Sequence, residues 1–203
     1  MGLTEKQFAH LEGRFSDLEQ MKSDGGKIIG YGAGGYVPEE LLLACDAVPL
    51  GFIRSADHSV IDMAGAYICR WFDPFVRTQI GLALKGEDPY YKIVDLLVMA
   101  NTDNHVRALI DVLCAYSNIN IFTYGVPHRK NQAALAYYLH GITKLKKRVE
   151  ELTGVEITDA RLREAIKLCN RERELLKEIS LMRRSSPGII ASKDFVKLNH
   201  ASF

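Results

Sequence analysis

Cys69 is the side chain of this sequence best suited to reactive chemistry. It lies in an irregular stretch, residues 54–72, beside Arg70 and Trp71 and shortly before a predicted helix. A thiolate on a loop can bind a metal ion or act as a nucleophile. The ordinary role of a free cysteine is to pack as a small apolar side chain. The residues around Cys69 leave these alternatives open.

The other three cysteines are predicted to be packing residues. Cys114 and Cys169 fall within predicted helices among apolar neighbours, and Cys45 ends another helix. No Cys-x-x-Cys pair occurs, which excludes a zinc ribbon and a thioredoxin motif. In a reducing cytosol we expect all four cysteines to be free thiols.

A second group of polar residues, Asn101-Thr102-Asp103-Asn104, lies where a predicted buried strand passes into a helix. One hypothesis is purely structural: Thr102 or Asp103 caps the helix, where a carboxylate also suits the helix dipole. The other is that this corner faces a ligand crevice. Both can hold at once, because strand ends are where α/β sheets bind ligands.

The glycine-rich segment Gly30-Tyr-Gly-Ala-Gly-Gly35 follows the first predicted strand. Its spacing differs from the G-x-G-x-x-G pattern of dinucleotide-binding proteins, and Asp57, about twenty residues on, does not end a clear strand. A nicotinamide or flavin site is therefore disfavoured. Bare backbone in such a turn instead lets a ligand approach closely.

The elements that position these residues alternate between strand and helix. Strands are predicted at 27–31, 48–53, 93–99 and 119–124, with helices at 4–22, from 38, 73–85 and 103–116. Alternation of this kind is typical of an α/β fold with a parallel, Rossmann-like sheet flanked by helices. The sequence predicts such a domain over residues 1–126.

Beyond Pro127 the pattern changes to two long helices. Apolar residues recur every three or four positions from Leu135 to Leu152 and again from Leu162 to Ile179, with Gly154 between the two stretches. They predict a long antiparallel helical hairpin within residues 127–203. A further short helix begins at Ser192, close to Phe203, and we expect the natural chain to continue into a second domain.

Composition excludes several functional classes. The 203 residues are 47% hydrophobic and 25% charged, with a net charge of +1, which gives no footprint for nucleic acid or a membrane surface. No apolar run is long enough for a transmembrane helix, and the first residues do not form a secretory signal. Zinc-hydrolase, Walker and nucleophile-elbow motifs are absent from the sequence. We expect a cytoplasmic protein.

Taken in order, several segments resemble the 2-hydroxyacyl-CoA dehydratase/benzoyl-CoA reductase family. They include 30–41, Tyr67-Ile-Cys69, Gly81-Leu-Ala-Leu84, 95–107 and 153–159, and cover nearly the whole chain. The resemblance is to the N-terminal half of a subunit like the 2-hydroxyglutaryl-CoA dehydratase D-component. It implies two related α/β domains per subunit, one [4Fe-4S] cluster held by cysteines of both domains, and a dimer of subunits.

The resemblance also implies roles for individual residues. Cys69 corresponds to the first cluster ligand, whereas Asp103 stands where the family places its second cysteine, and a third ligand would come from the other domain. Carboxylate is a harder donor than thiolate. Asp103 therefore implies either an atypical cluster or a subunit without one. Glu39 would be catalytic, and the substrate would lie against a glycine-rich turn, comprising Gly32, Gly34, Gly35 and Tyr36.

The reaction implied is radical dehydration of a 2-hydroxyacyl-CoA thioester. The partners implied are an acyl-CoA substrate, a related dehydratase subunit and an ATP-dependent activator protein that supplies an electron. One alternative is a cluster-free assembly partner of the same fold that does no chemistry. A second is a component of a benzoyl-CoA-reductase-like or double-cluster reductase.

Overall fold

Four parallel strands form the centre of the protein. The structure is a computed structural model that describes residues 3–32, 34–86, 88–185 and 188–203. The strands are β1 (Ile28–Gly32), β2 (Val48–Phe52), β3 (Leu96–Asn101) and β4 (Ile121–Gly125), and every neighbouring pair is parallel. Their order is β2-β1-β3-β4. The predicted α/β class with a parallel, Rossmann-like sheet is confirmed.

Side chains alternate between two apolar cores, one on each face of the sheet. Leu96 and Val98 of β3 point into one core, and Leu97 and Met99 point into the other. Burial on both faces explains why β3 reads as an uninterrupted apolar run.

Helices cover both faces. They are α1 (Leu3–Ser23), α2 (Glu39–Ala44), α3 (His58–Met63), α4 (Pro74–Lys85), α5 (Tyr90–Ile93), α6 (Asn104–Tyr116), α7 (Gln132–Thr153), α8 (Asp159–Ser185) and α9 (Ser192–His200), with a 3-10 turn at Ala64–Ala66. The first face carries α2, α7 and α8, and the second carries α1 and α3 to α6. No helix among the described residues combines the length and apolarity needed to cross a membrane.

Local sequence explains where the longer helices begin and end. α4 begins with Pro74 after Asp73, whose carboxylate accepts hydrogen bonds from two backbone amides, and it ends at Gly86 in the left-handed conformation. α7 begins after Asn131, whose side chain accepts from the Ala134 amide at 2.9 Å, and ends at Gly154 with φ 72°. These are ordinary N-cap residues and C-terminal glycines.

The two long helices follow each other closely in the chain, and both pack on the rest of the domain. α7 lies on β4 and α2, and α8 lies on α2. Arg161 of α8 donates to the Ala44 carbonyl at 2.8 Å, and Arg173 pairs with Glu40 at 2.7 Å. The division into residues 1–126 and 127–203 stays a prediction, but α7 and α8 complete the same apolar core as β1 and α2.

Cys114 corrects one expectation: it is exposed, whereas Cys45 and Cys169 are buried as predicted. α6 buries Leu109, Ile110, Val112 and Leu113. Cys114 follows Leu113 directly, and neighbouring residues of a helix are rotated by about 100° about its axis. Apolar neighbours in the sequence therefore do not place a helical residue on the buried face.

The last turn of the chain lies against the sheet. The Phe203 carbonyl accepts a hydrogen bond of 2.7 Å from the Gly51 amide of β2. A Cβ atom at Gly51 would come within 2.7 Å of the Phe203 side chain. The close approach of Phe203 therefore requires glycine at this position of β2.

Candidate functional site

The strand order creates a crevice at one edge of the sheet. From β1 the chain moves to β2 on one side and then returns to β3 on the other side of β1. Loops leaving the carboxyl ends of β1 and β3 therefore diverge, and ligands of open α/β sheets bind at such points. Three segments follow strands at this edge: the turn 34–36, the corner 101–104 and the segment 126–131.

The turn after β1 is bare backbone. Gly34 and Gly35 have φ angles of 129° and 72°, which favour glycine, and a Cβ at Gly35 would meet no atom within 4 Å. Gly32 differs, because it lies in β1 and a Cβ there would come within 2.9 Å of the Met99 sulfur. Of the predicted substrate-binding residues, Gly34, Gly35 and Tyr36 are exposed at the crevice, whereas Gly32 allows close packing.

Tyr36 is held in place through its backbone. Its carbonyl accepts hydrogen bonds from the hydroxyls of Tyr124 on β4, at 2.6 Å, and Tyr138 on α7, at 2.9 Å. Burial raises the pKa of both phenols, so both remain protonated donors at neutral pH. The turn after β1 is thereby fixed to the carboxyl end of β4.

A cavity of about 700 Å³ lies beside Tyr36, and its lining forms what we term the β4–α7 corner, Tyr36 together with residues 126–138. One wall is apolar, with Val126, Leu135 and the Tyr138 ring. The rim carries Arg129 and Lys130, both exposed. This volume is within the range of small-molecule and cofactor sites.

Cys69 lies at a different corner of the same edge, on the face covered by α4 and α6. It is exposed, and its carbonyl accepts from the Phe72 amide at 3.1 Å. The Phe72 ring packs edge-on against His105 with centroids 5.1 Å apart, and the Asp73 amide donates to His105 Nδ1 at 3.0 Å. The loop of Cys69 thus contacts the start of α6; residues 67–73 and 101–105 are termed the Cys69 corner.

Asp103 is the N-cap of α6. Its Oδ1 accepts from the His105 amide at 2.7 Å and the Val106 amide at 3.1 Å, and its Oδ2 accepts from the Thr102 hydroxyl at 2.8 Å. Partial burial opposes ionisation, but the hydrogen bonds from Val106, Thr102 and His105 outweigh it and lower the pKa of this carboxyl. Both carboxylate oxygens therefore already have partners.

These donors do not fit an iron–sulfur cluster held by this chain alone. Such clusters are usually bound by four thiolates. Among residues 3–32, 34–86, 88–185 and 188–203, no group of three or more histidine, cysteine or acidic side chains could hold a metal. Cys45 and Cys169 are buried in the core on the opposite face of the sheet. The structure brings the segments of Cys69 and Asp103 together but adds no third donor from the described residues.

Glu39 is the first residue of α2 and is not among the residues of either corner. Its Oε1 accepts a hydrogen bond of 2.8 Å from the Tyr31 hydroxyl. Burial and the neighbouring charge of Glu39 raise the pKa of Glu172, and burial together with nearby carboxylates raises that of Cys169 to about 11. Glu39 and Glu172 line a separate cavity with Phe203. The catalytic role of Glu39 stays a prediction.

Three residues of the β4–α7 corner, Tyr138, Arg129 and Lys130, were not predicted from sequence, and neither was Tyr124 of β4, which donates to the Tyr36 carbonyl. The available signal was the run Arg129-Lys130-Asn131, a basic pair and a helix cap shortly after a strand. Tyr124 and Tyr138 carry no such signal, because each also fits an apolar strand or helix pattern.

Comparison with known proteins gives consistent matches. Residues 35–203 match the family described as 2-hydroxyglutaryl-CoA dehydratase, D-component. The "Putative dehydratase subunit YjiM" of Escherichia coli (strain K12) is 26% identical, over 80% of this chain and 42% of its own length. The (R)-phenyllactyl-CoA dehydratase beta subunit of Clostridium sporogenes is 26% identical, over 85% of this chain and 45% of its own.

One of the subunits of the benzoyl-CoA reductase of Thauera aromatica is also 26% identical, over 82% of this chain and 43% of its own length. The chain thus spans less than half the length of the curated relatives it matches. Because the family match covers most of the sequence, the resemblance seen in the residues is confirmed. The chain belongs to the 2-hydroxyglutaryl-CoA dehydratase D-component family.

Proposed function

We propose that this chain is a subunit, or the N-terminal half of a subunit, of a 2-hydroxyacyl-CoA dehydratase-like enzyme, in which it binds the acyl-CoA. The observation that carries the proposal is the family match over residues 35–203. Two of the relatives, a phenyllactyl-CoA dehydratase subunit and a benzoyl-CoA reductase subunit, are named for CoA thioesters. The reaction is the loss of water from the acyl group of such a thioester.

The crevice between β1 and β3 is the proposed place of the reacting acyl end. The turn at Gly34 and Gly35 exposes backbone without side chains, so a thioester can approach its amide groups closely. Amide groups directed at a carbonyl oxygen stabilise negative charge that develops there. The two tyrosine hydroxyls on the Tyr36 carbonyl keep the turn rigid, which lowers the cost of ordering the site on binding.

The donors of this chain do not fit an iron–sulfur cluster that is held by this chain alone. A [4Fe-4S] cluster in the assembled enzyme would need thiolates from outside the described residues. We propose that a related dehydratase subunit and an ATP-dependent activator are the partners in that assembly. Cys69 is exposed and accessible to such a partner.

A cluster-free assembly partner is the second candidate function. The observation that favours it is Asp103, whose two carboxylate oxygens are engaged in capping α6 and in the hydrogen bond from Thr102. A subunit of this kind would keep the fold and the interface but would bind neither metal nor substrate.

Anaerobic purification and reconstitution test the first candidate. The chain is combined with a related subunit and activator, and turnover of a 2-hydroxyacyl-CoA is measured together with iron, sulfide and the visible absorption band. We expect a colourless isolated chain and dehydration only in the complete assembly. Turnover that persists when the chain is left out would refute the first candidate. Glu39→Gln, read by kcat in the same assay, tests the predicted catalytic carboxylate.

A further inference from the structure

Arg129 and Lys130 are the starting observation. Both side chains are exposed at the rim of the cavity in the β4–α7 corner. Within the part of the chain that the structure describes, neither forms an ion pair or a side-chain hydrogen bond. The described lining also contains no carboxylate. The cavity therefore has two positive charges that nothing in its lining compensates.

The opposite wall selects a ligand that is partly apolar. Val126, Pro127 and Leu135 provide aliphatic surface, and Tyr36 and Tyr138 provide rings. Leu135 is 62% exposed, so its side chain is open to a ligand in the cavity. Cations on one side and apolar surface on the other fit a flat ring bearing phosphates.

The start of α7 adds to the same preference. α7 has 22 residues, and the amide groups in the first turn of a helix have no partner within the helix. Asn131 satisfies only the amide of Ala134 by its side chain. The positive end of the helix dipole therefore lies beside the two cations, where anions bind favourably.

The cavity is also connected to the proposed acyl site. Tyr36 lines the cavity and directly follows the Gly34–Gly35 turn. Its carbonyl accepts a hydrogen bond from the hydroxyl of Tyr124 on β4. Neighbouring strands lie about 4.8 Å apart, so the carboxyl ends of β1 and β4, two strands apart in the order, are separated by roughly 10 Å. A long ligand can span both places at once.

We propose that the cavity of the β4–α7 corner binds the 3′-phosphorylated ADP group of CoA, with Arg129 and Lys130 on its phosphates. The pantetheine arm then runs past Tyr36 and brings the thioester to the Gly34–Gly35 turn. This inference rests on the proposed function for the identity of the ligand. It assigns specificity for the nucleotide end to two residues outside the Cys69 corner.

The test uses the complete chain and two probes, CoA and adenosine 3′,5′-bisphosphate, with affinities measured by isothermal titration calorimetry. The variant is Arg129→Ser/Lys130→Ser. The matched control is Lys144→Ser/Lys147→Ser, which removes two exposed lysines from the same α7 without touching the cavity lining. All four positions are exposed, and circular dichroism verifies that each variant is folded.

We expect the bisphosphate to compete with CoA. The Arg129→Ser/Lys130→Ser variant should bind each probe about a hundredfold more weakly, at about tenfold per charge-assisted contact, and the control should bind as the unaltered chain does. Affinity of the unaltered chain should fall as salt is raised.

Three results would overturn the inference: no binding of CoA, no competition by the bisphosphate, or equal affinity in the Arg129→Ser/Lys130→Ser variant. The proposed function is judged separately, by turnover in the assembled enzyme. If that assembly dehydrates its substrate while the variant binds CoA normally, only the cavity assignment fails. If the variant loses the nucleotide but no assembly shows turnover that depends on this chain, only the proposed function fails.

Discussion

The two corners at the carboxyl edge of the sheet differ in how far their polar groups are already paired. At the Cys69 corner, Asp103 accepts three hydrogen bonds, and the Asp73 amide donates to His105. At the β4–α7 corner, Arg129 and Lys130 have no such partner among the described residues and lie beside a cavity. The first corner is stabilised by its polar groups, whereas the second has groups available for a ligand.

The comparison shows that residue type alone does not identify a binding site. A carboxylate that already accepts three hydrogen bonds has little remaining capacity for a further ligand. Cations beside an apolar wall that have no protein partner lose only hydration water when they bind a ligand. The reactive residue types are at the Cys69 corner, but the cations without a protein partner among the described residues lie at the other corner.

The largest expected effect concerns the four thiols. Cys69 and Cys114 are exposed and should react rapidly with a disulfide reagent such as DTNB near pH 8. Cys169, with a pKa of about 11, and Cys45, whose pKa burial also raises, should react at least about a hundredfold more slowly. Cys69→Ala and Cys114→Ala should each remove one rapid equivalent. A slow Cys69 would mean that its corner is closed to partners.

The second expected effect concerns the packing of α3 against α4, the helix that begins after the Cys69 corner. A Cβ at Gly81 of α4 would lie 2.1 Å from the Val60 carbonyl oxygen of α3, so Gly81→Ala must push the two helices apart. We expect the free energy of unfolding in urea to fall by about 2–3 kcal/mol. Gly65→Ala is the control, since a Cβ there meets nothing within 4 Å. Equal stability of the two variants would contradict this packing.

The third expected effect concerns the capping role of Asp103. Asp103→Ala should lower the free energy of unfolding by about 1 kcal/mol, whereas Asp103→Asn, which can still cap, should lose much less. The folded-state pKa of Asp103 lies below its ordinary value of 3.8, so the ionised carboxylate stabilises the fold. That contribution is present above the unfolded-state pKa and is lost as pH falls through the folded-state pKa.

Denaturation series at several pH values check the sign. The stability difference between the unaltered chain and Asp103→Asn should shrink as the pH falls below about 4, the range in which free aspartate is protonated. A difference that grew toward acid would show that the carboxylate is not stabilising, and would reopen its role as a ligand.

The smallest expected effect concerns the β4–α7 corner. Tyr124→Phe removes one of the two hydroxyls on the Tyr36 carbonyl, and Tyr138 still satisfies that carbonyl. We expect a loss of about 0.5–1 kcal/mol in the free energy of unfolding, and less for the more exposed Tyr138→Phe. The double variant should lose more than the sum of the two, as shared partners do in a double-mutant cycle. Strict additivity would indicate that the two hydroxyls act independently.

Much of the fold was predictable because its signals are local. The apolar run of β3, the Asn131 cap and Gly154 each determine an element from a few neighbouring residues. Two short helices, α3 and α5, were missed, since their six and four residues show no helical repeat and neither has acidic residues in its first turn, as α2 does. Asp57 caps α3 by accepting from the Val60 amide and was the one local indication of it.

The candidate site was less predictable because it depends on the strand order. Gly34 and Gly35 are identifiable from sequence, as glycines after a strand. That the Tyr36 carbonyl would receive the hydroxyls of Tyr124 and Tyr138, 88 and 102 residues away, follows only from the position of β4 beside β3. The cavity whose rim carries Arg129 and Lys130 forms where the turn after β1 meets the segment between β4 and α7.

The contact between Phe203 and β2 has a consequence for solubility. β2 is an outer strand of the sheet, and unpaired amides on outer strands are templates for pairing with other molecules. Pro49 has no amide hydrogen to offer, and the Gly51 amide is occupied by the Phe203 carbonyl. The turn after α9 therefore protects an open edge from intermolecular β-pairing, and detaching it would favour aggregation.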